Sequence, residues 1–173
     1  VIVPALASMT QQQVRTVVEE GIKPYVDAGI VKPYGSMDFH VTPYVAISWQ
    51  DKQQYFLFWI VELTWFNSER KSHMSVRVDD ETGAFLSIEG YDLPAFMASP
   101  MRDELHTLSD SFARTWLEQV GLWDSAQEPT AGKGAQQVHG EHPDYYTTVY
   151  EISTEEGDPL CICFSVNRDG GYQ

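Results

Sequence analysis

Ser75-Val76-Arg77-Val78-Asp79-Asp80-Glu81-Thr82-Gly83-Ala84-Phe85-Leu86-Ser87-Ile88 reads as a strand, an acidic turn and a returning strand. Apolar and polar residues alternate through the first arm, so Met74, Val76 and Val78 point to one face and Ser75 and Arg77 to the other. Gly83 supplies the positive φ that a tight turn here requires. The chain later runs Phe164-Ser165-Val166-Asn167-Arg168-Asp169-Gly170-Gly171. The two Ser-Val pairs, at 75 and at 165, are 90 residues apart. That spacing suggests one structural unit used twice.

The helices repeat with nearly the same offset. A first helix is expected from Thr10, an N-cap residue, with Val14, Val17, Val18, Ile22, Tyr25 and Val26 on its apolar side. Pro24 lies inside that pattern and predicts a break near residues 21–23. A second helix is expected over residues 101–120, with Leu105, Leu108, Phe112, Trp116, Leu117 and Val120 as its stripe. Gly29 and Gly121 each follow a helix and precede two apolar residues, the pattern of a left-handed C-cap.

Strands are expected at 41–49, 54–65, 73–78, 84–89, 145–153 and 160–166. Residues 125–144 are rich in Gly, Gln, Pro and His and lack periodicity, so a loop is expected where the first unit has its first strand. Carrying the register over, Ile162, Phe164 and Val166 face the core, whereas Cys161, Cys163 and Ser165 face away. The expected fold is α+β, with helices on one face of antiparallel sheet and the other face partly open. Two units follow, at 1–98 and 99–173, the second degenerate, and they could pack as one domain.

Residues 76–88 resemble the end of a PepSY-type domain, in which a strand, an Asp-x-x-Thr-Gly turn and a returning strand recur. Val78, Asp79, Thr82, Gly83, Leu86 and Ser87 carry the resemblance. The second unit departs from it, because Asn167-Arg168-Asp169-Gly170 lacks the Thr-Gly pair and no returning strand is evident after Tyr172. The resemblance implies a small α+β module, extracellular or in the cell envelope, with a signal or lipid anchor removed from this sequence. It further implies a module that holds or inhibits a protein or peptide and does not catalyse.

Composition narrows the partners. Twenty-five acidic residues stand against 11 basic ones, a net charge of −14, among 173 residues. Phosphate backbones and anionic lipid repel such a surface, so nucleic acid and electrostatic membrane docking are excluded as expectations. The longest apolar run, residues 55–61, is too short to span a bilayer. Two cysteines provide no disulfide framework.

Aromatics make up 13% of the chain, and many crowd one region: Trp49, Tyr55, Phe56, Phe58, Trp59, Trp65 and Phe66. A sheet covered on one side leaves some of them exposed, and exposed aromatics mark binding surfaces. Trp49, Tyr55, Trp65, Tyr145 and Tyr146 are therefore the candidate partner-binding residues, with a homodimer mate or the loop at 125–144 as an alternative cover.

The candidates for chemistry are fewer. Glu62 interrupts an apolar strand and could serve as a general acid or base if buried. The alternative as a strand-end residue paired with Arg70 or Arg77 is the plainer one. His139 and His142 with Cys161 and Cys163 hold metal-ligand atoms, but their spacing lacks the close Cys-x-x-Cys knuckle. Asp79-Asp80-Glu81 lacks the calcium-loop spacing and reads as a solvated turn. No nucleophile motif and no phosphate-binding glycine loop is present, Gly132-Lys133-Gly134 being too short. No catalytic residue, cofactor or metal is assigned.

Overall fold

The computed structural model describes residues 6–47, 55–67, 71–93, 102–123, 133–136, 145–152, 160–167 and 171–173. In chain order the elements are α1 (Gln11–Gly21), α2 (Lys23–Asp27), β1 (Ser36–Ile47), β2 (Tyr55–Phe66), β3 (Lys71–Asp79), β4 (Phe85–Leu93), α3 (Arg102–Gln119), β5 (Lys133–Gln136), β6 (Tyr145–Ile152) and β7 (Leu160–Asn167). The fold class is α+β, with antiparallel pairing in the orders β1-β2-β3-β4 and β5-β6-β7.

Local chemistry explains most boundaries. Thr10 and Gln13 form a reciprocal capping box at the start of α1. Pro24 tolerates the first turn of a helix, where its missing N–H is not needed, so the break falls at Ile22 and α2 starts anew. The motif turn is held by Asp79, whose Oδ1 accepts from the Thr82 N–H and Oγ1–H, both at 2.7 Å. The Ala84 N–H donates to Thr82 Oγ1 at 3.2 Å. Asp and Thr thus satisfy backbone donors that the hairpin turn leaves open.

The two helix ends at Gly29 and Gly121 share one hydrogen-bond pattern. Ile30 and Val31 N–H both donate to the Tyr25 carbonyl, at 3.0 and 3.1 Å, around Gly29 at φ 74°. Leu122 and Trp123 N–H both donate to the Leu117 carbonyl, at 2.9 and 3.0 Å, around Gly121 at φ 73°. Each cap presents two apolar residues at the same offset from its helix.

Two expectations are corrected. The stretch 125–144 contains β5, which pairs with β6 from Lys133↔Thr148 to Gln136↔Tyr145 and so takes the place that β1 holds beside β2. A returning segment does exist after β7. Tyr172 forms bridges to both Gly90 and Val166. Gly90 and Tyr172 exchange both backbone hydrogen bonds at 2.9 Å, and Ser165 and Gln173 do so at 2.8 and 3.0 Å. Three residues therefore join the two sheets edge to edge through β4 and β7.

The core draws on both halves. Val14, Val18 and Tyr25 meet Trp59, Val61, Leu63, Met74, Val76 and Val78 from one half and Phe112, Leu117, Phe164 and Tyr172 from the other. Tyr25 sits where they join. Its ring stands edge-on to Phe112 at 6.0 Å, and its hydroxyl donates to Gln119 Oε1 at 2.6 Å. Gln119 Nε2 in turn donates to the Gly21 carbonyl at 3.0 Å. Burial holds the Tyr25 phenol well above its ordinary pKa. The boundary expected at 98/99 lies outside the described residues.

A second buried polar set ties α3 to its sheet. Ser109 Oγ donates to the Phe164 carbonyl at 3.1 Å and lies 2.8 Å from Thr148 Oγ1, which donates to Asp110 Oδ1 at 3.1 Å. Ser109 and Thr148 are buried, so these bonds have no water to replace them. Ser109→Val is expected to lower stability by about 2 kcal/mol, since it removes the buried donor to the Phe164 carbonyl and the polar neighbour of Thr148 Oγ1. Chemical denaturation would measure it.

Candidate binding surface

The two faces of β2 have opposite fates. Trp59, Val61, Leu63 and Trp65 point toward the helices and are buried. Phe56, Phe58, Ile60, Glu62, Thr64 and Phe66 occupy the other, open face. Their partners on β1 complete the rows: Ala46 beside Phe56, Tyr44 beside Phe58, Thr42 beside Ile60 and His40 beside Glu62.

Helix coverage fails at one end of this hairpin for a geometric reason. α1 has 11 residues and spans about 17 Å, whereas each 12-residue strand of the β1–β2 pair spans about 40 Å. Arg15 of α1 lies over the Phe39 ring at 4.7 Å, which fixes the helix near the far end of β1. Ile47 is eight residues further along, about 26 Å away. The hairpin end is accordingly exposed on its helix side as well as on its open face. Val45, Ile47 and Tyr55 stand on the helix side, and Tyr44 and Phe56 on the open side. Ile47, Tyr55 and Phe56 keep 62%, 57% and 58% of their surface in solvent. Tyr44 and Phe58 stack at 5.8 Å, which gives the patch a rigid floor.

β1 is also the edge of its sheet. Pro43 sits in it, a residue that cannot donate a ladder hydrogen bond and is confined to edges. The β1–β2 end thus combines a strand edge with apolar side chains on both faces.

The sequence-level candidates scatter. Tyr55 belongs to the exposed end. Trp65 and Tyr146 are 4% and 6% exposed and are core residues, a correction of their surface assignment. Odd-numbered positions of β2 face the helices, and Tyr146 pairs with Val166 on the covered face of β6. Tyr145 lies on the open face beside Asn167, half-buried, in the other sheet from Tyr55. Trp49 lies outside the described residues. Tyr44, Phe56 and Ile47 were missed, although Glu62 carried the signal: a charged residue marks its face as open, and Phe56 and Phe58 share its parity.

The residues considered for chemistry are apart. Glu62 is exposed between His40 and Ser75. Cys163 is exposed on the open face opposite Val149. Cys161 takes its place on β7 opposite Glu151, and His139 and His142 lie outside the described residues. Among the described residues no three His, Cys, Asp or Glu side chains are grouped to hold a metal ion. No helix among them is long and apolar enough to cross a membrane.

Asp80 departs from the solvated-turn expectation. It is buried, and it accepts hydrogen bonds from Trp59 Nε1–H and the Ser8 N–H, each at 2.6 Å, and from the Met9 N–H at 3.2 Å. Burial pushes its carboxyl up, but the bonds from Ser8, Trp59 and Met9 together outweigh that and hold it below the usual carboxylate range. The second acid of the motif turn is thereby a tether for the segment that leads into α1.

No protein-family model matches the sequence, and no curated protein does. Among solved structures, the Bacillus megaterium YpeB C-terminal domain superposes with a TM-score of 0.51 at 10% sequence identity. The match covers 95% of this chain and 62% of that one, so the chain spans less than two thirds of its neighbour's length. At that identity the likeness is one of fold, and it supports the PepSY-like arrangement.

Proposed function

We propose that this chain is a non-catalytic binding module of the cell envelope or extracellular space, which holds a protein or peptide at the uncovered end of its β1–β2 hairpin. One observation carries the reading: Tyr44, Val45, Ile47, Tyr55 and Phe56 are exposed together at one end of the β1–β2 pair, with β1 at the edge of the sheet. Clustered exposed aromatics of this kind are energetically useful in binding, and an edge strand adds unpaired backbone groups to the same surface. The net charge of −14 favours a basic partner and speeds its approach. Glu62, the candidate acid, is exposed on the open face between His40 and Ser75. The fold by itself assigns no activity.

A Tyr44→Ser, Phe56→Ser double variant tests this. Both side chains are exposed, so the variant is expected to keep its circular dichroism and to lose only about 1 kcal/mol of stability. Its affinity for the partner retained by the unaltered protein should fall at least about tenfold, as for central aromatic anchors. Unchanged retention by a folded double variant would overturn the reading.

A further inference from the structure

The two sheets meet in a groove on the open face. Its volume is about 420 Å³, within the range of about 300–1,000 Å³ at which proteins hold ligands. The origin of the groove is the segment 171–173. Tyr172 turns its ring to the core, against Phe112 at 5.7 Å. Gly171, opposite Asn167, then leaves a gap in the open-face row between β4 and β7.

The walls differ in chemistry. On the β3–β4 side Tyr91 stands beside His73, their ring centroids 5.4 Å apart, and Glu89 stands beside Ser75. Ser165, Asn167 and Gln173 form the other side. Among the described residues lining the groove, Glu89 has the one carboxylate side chain and none is lysine or arginine. An exposed aromatic ring supported by a neighbour, one strand step from a carboxylate, suits a flat cation. The ring face attracts the charge, and the carboxylate accepts two parallel N–H bonds. A guanidinium fits both features, whereas a lysine ammonium uses the charge but not the plane.

We infer that this groove receives an arginine side chain of the bound protein or peptide, stacked on Tyr91 and paired with Glu89. This deepens the proposed function and rests on it, but it uses residues apart from the apolar hairpin end.

The test is an amide-resolved NMR titration of the full chain with the capped tripeptide acetyl-Gly-Arg-Gly-amide, its Lys counterpart, and methylguanidinium. For the Arg peptide we expect saturable shifts confined to residues 73–75, 89–91, 165–167 and 171–173, with weaker binding of the other two. Glu89→Gln should weaken the Arg peptide about tenfold, the loss of one charge-assisted pair. Glu81→Gln, on the exposed motif turn, should bind as before. Shifts scattered over the acidic surface, or equal affinity in Glu89→Gln, would overturn the assignment. Methylguanidinium bound as tightly as the peptide would overturn the peptide source in favour of a free guanidine. The Tyr44→Ser, Phe56→Ser variant should leave this titration unchanged, so failure at the groove and failure at the hairpin end are told apart.

Discussion

Asp80→Ala is expected to cost about 3 kcal/mol, because it strands the Trp59 indole N–H in the core and removes the acceptor for two backbone N–H groups. Each buried donor left unpaired costs about 1–3 kcal/mol, and the Ser8 and Met9 groups recover part of theirs from water. For a chain of this length the melting temperature should fall by about 6–12 °C. Asp80→Asn, which keeps one acceptor but turns an amide N–H₂ toward the donors, should cost about half as much. The pH dependence supplies a second readout. The folded carboxyl is held below its unfolded value, so its contribution is fully present above that value. It is lost as pH falls through the lowered folded value. The stability gap between the unaltered protein and Asp80→Asn should therefore narrow from about pH 4 downward. A gap that stays constant on acidification would show that the charge of Asp80 is not what holds the segment.

Gly90→Val should be as damaging, through geometry rather than charge. A Cβ at Gly90 would lie 2.5 Å from the His73 carbonyl oxygen and 2.5 Å from the Tyr172 hydroxyl. The carbonyl is fixed in the β3–β4 pairing and cannot retreat, so the strain falls on the bridge to Tyr172. Overpacking of a closed site costs about 1–3 kcal/mol, and the branched side chain places this substitution at the upper end, about 3 kcal/mol. Hydrogen exchange should locate the effect. The amides of Ser165, Tyr172 and Gln173, whose partners define the joint, should lose protection, while β2 pairing with β3 should not. Uniform loss of protection across both sheets would mean that Gly90 supports the whole core and not the joint.

Several parts of the fold were legible because short-range chemistry decides them. Asp79, Thr82 and Gly83 satisfy one another's turn requirements within five residues, and Gly29 and Gly121 stop helices by the same backbone bonds. The alternation that put Met74, Val76 and Val78 inward also placed Phe164 and Val166 correctly. What escaped depends on distant partners. The Ser36–His40 stretch has only Met37 and Phe39 as apolar residues and pairs along the long apolar β2, so β1 starts five residues before the expected 41. β5 is four residues pairing with β6, and 171–173 is strand-like only between Gly90 and Val166. In the site, Trp65 and Tyr146 looked like anchors because they are large and aromatic. Their parity along the strand buries them, whereas Tyr44 and Phe56 stand on the open face and the shortness of α1 leaves Ile47 uncovered on the other.

Site-specific photo-crosslinking reads the hairpin end most directly. A photoreactive phenylalanine analogue would replace Phe56 in one protein and Thr16, exposed on α1, in another. Both would be irradiated in the native cell. We expect one discrete adduct from position 56, absent from position 16 and competed away by excess unaltered protein but not by the Tyr44→Ser, Phe56→Ser variant. No adduct at 56, or the same adducts from both positions, would contradict a binding surface at the end of the β1–β2 hairpin.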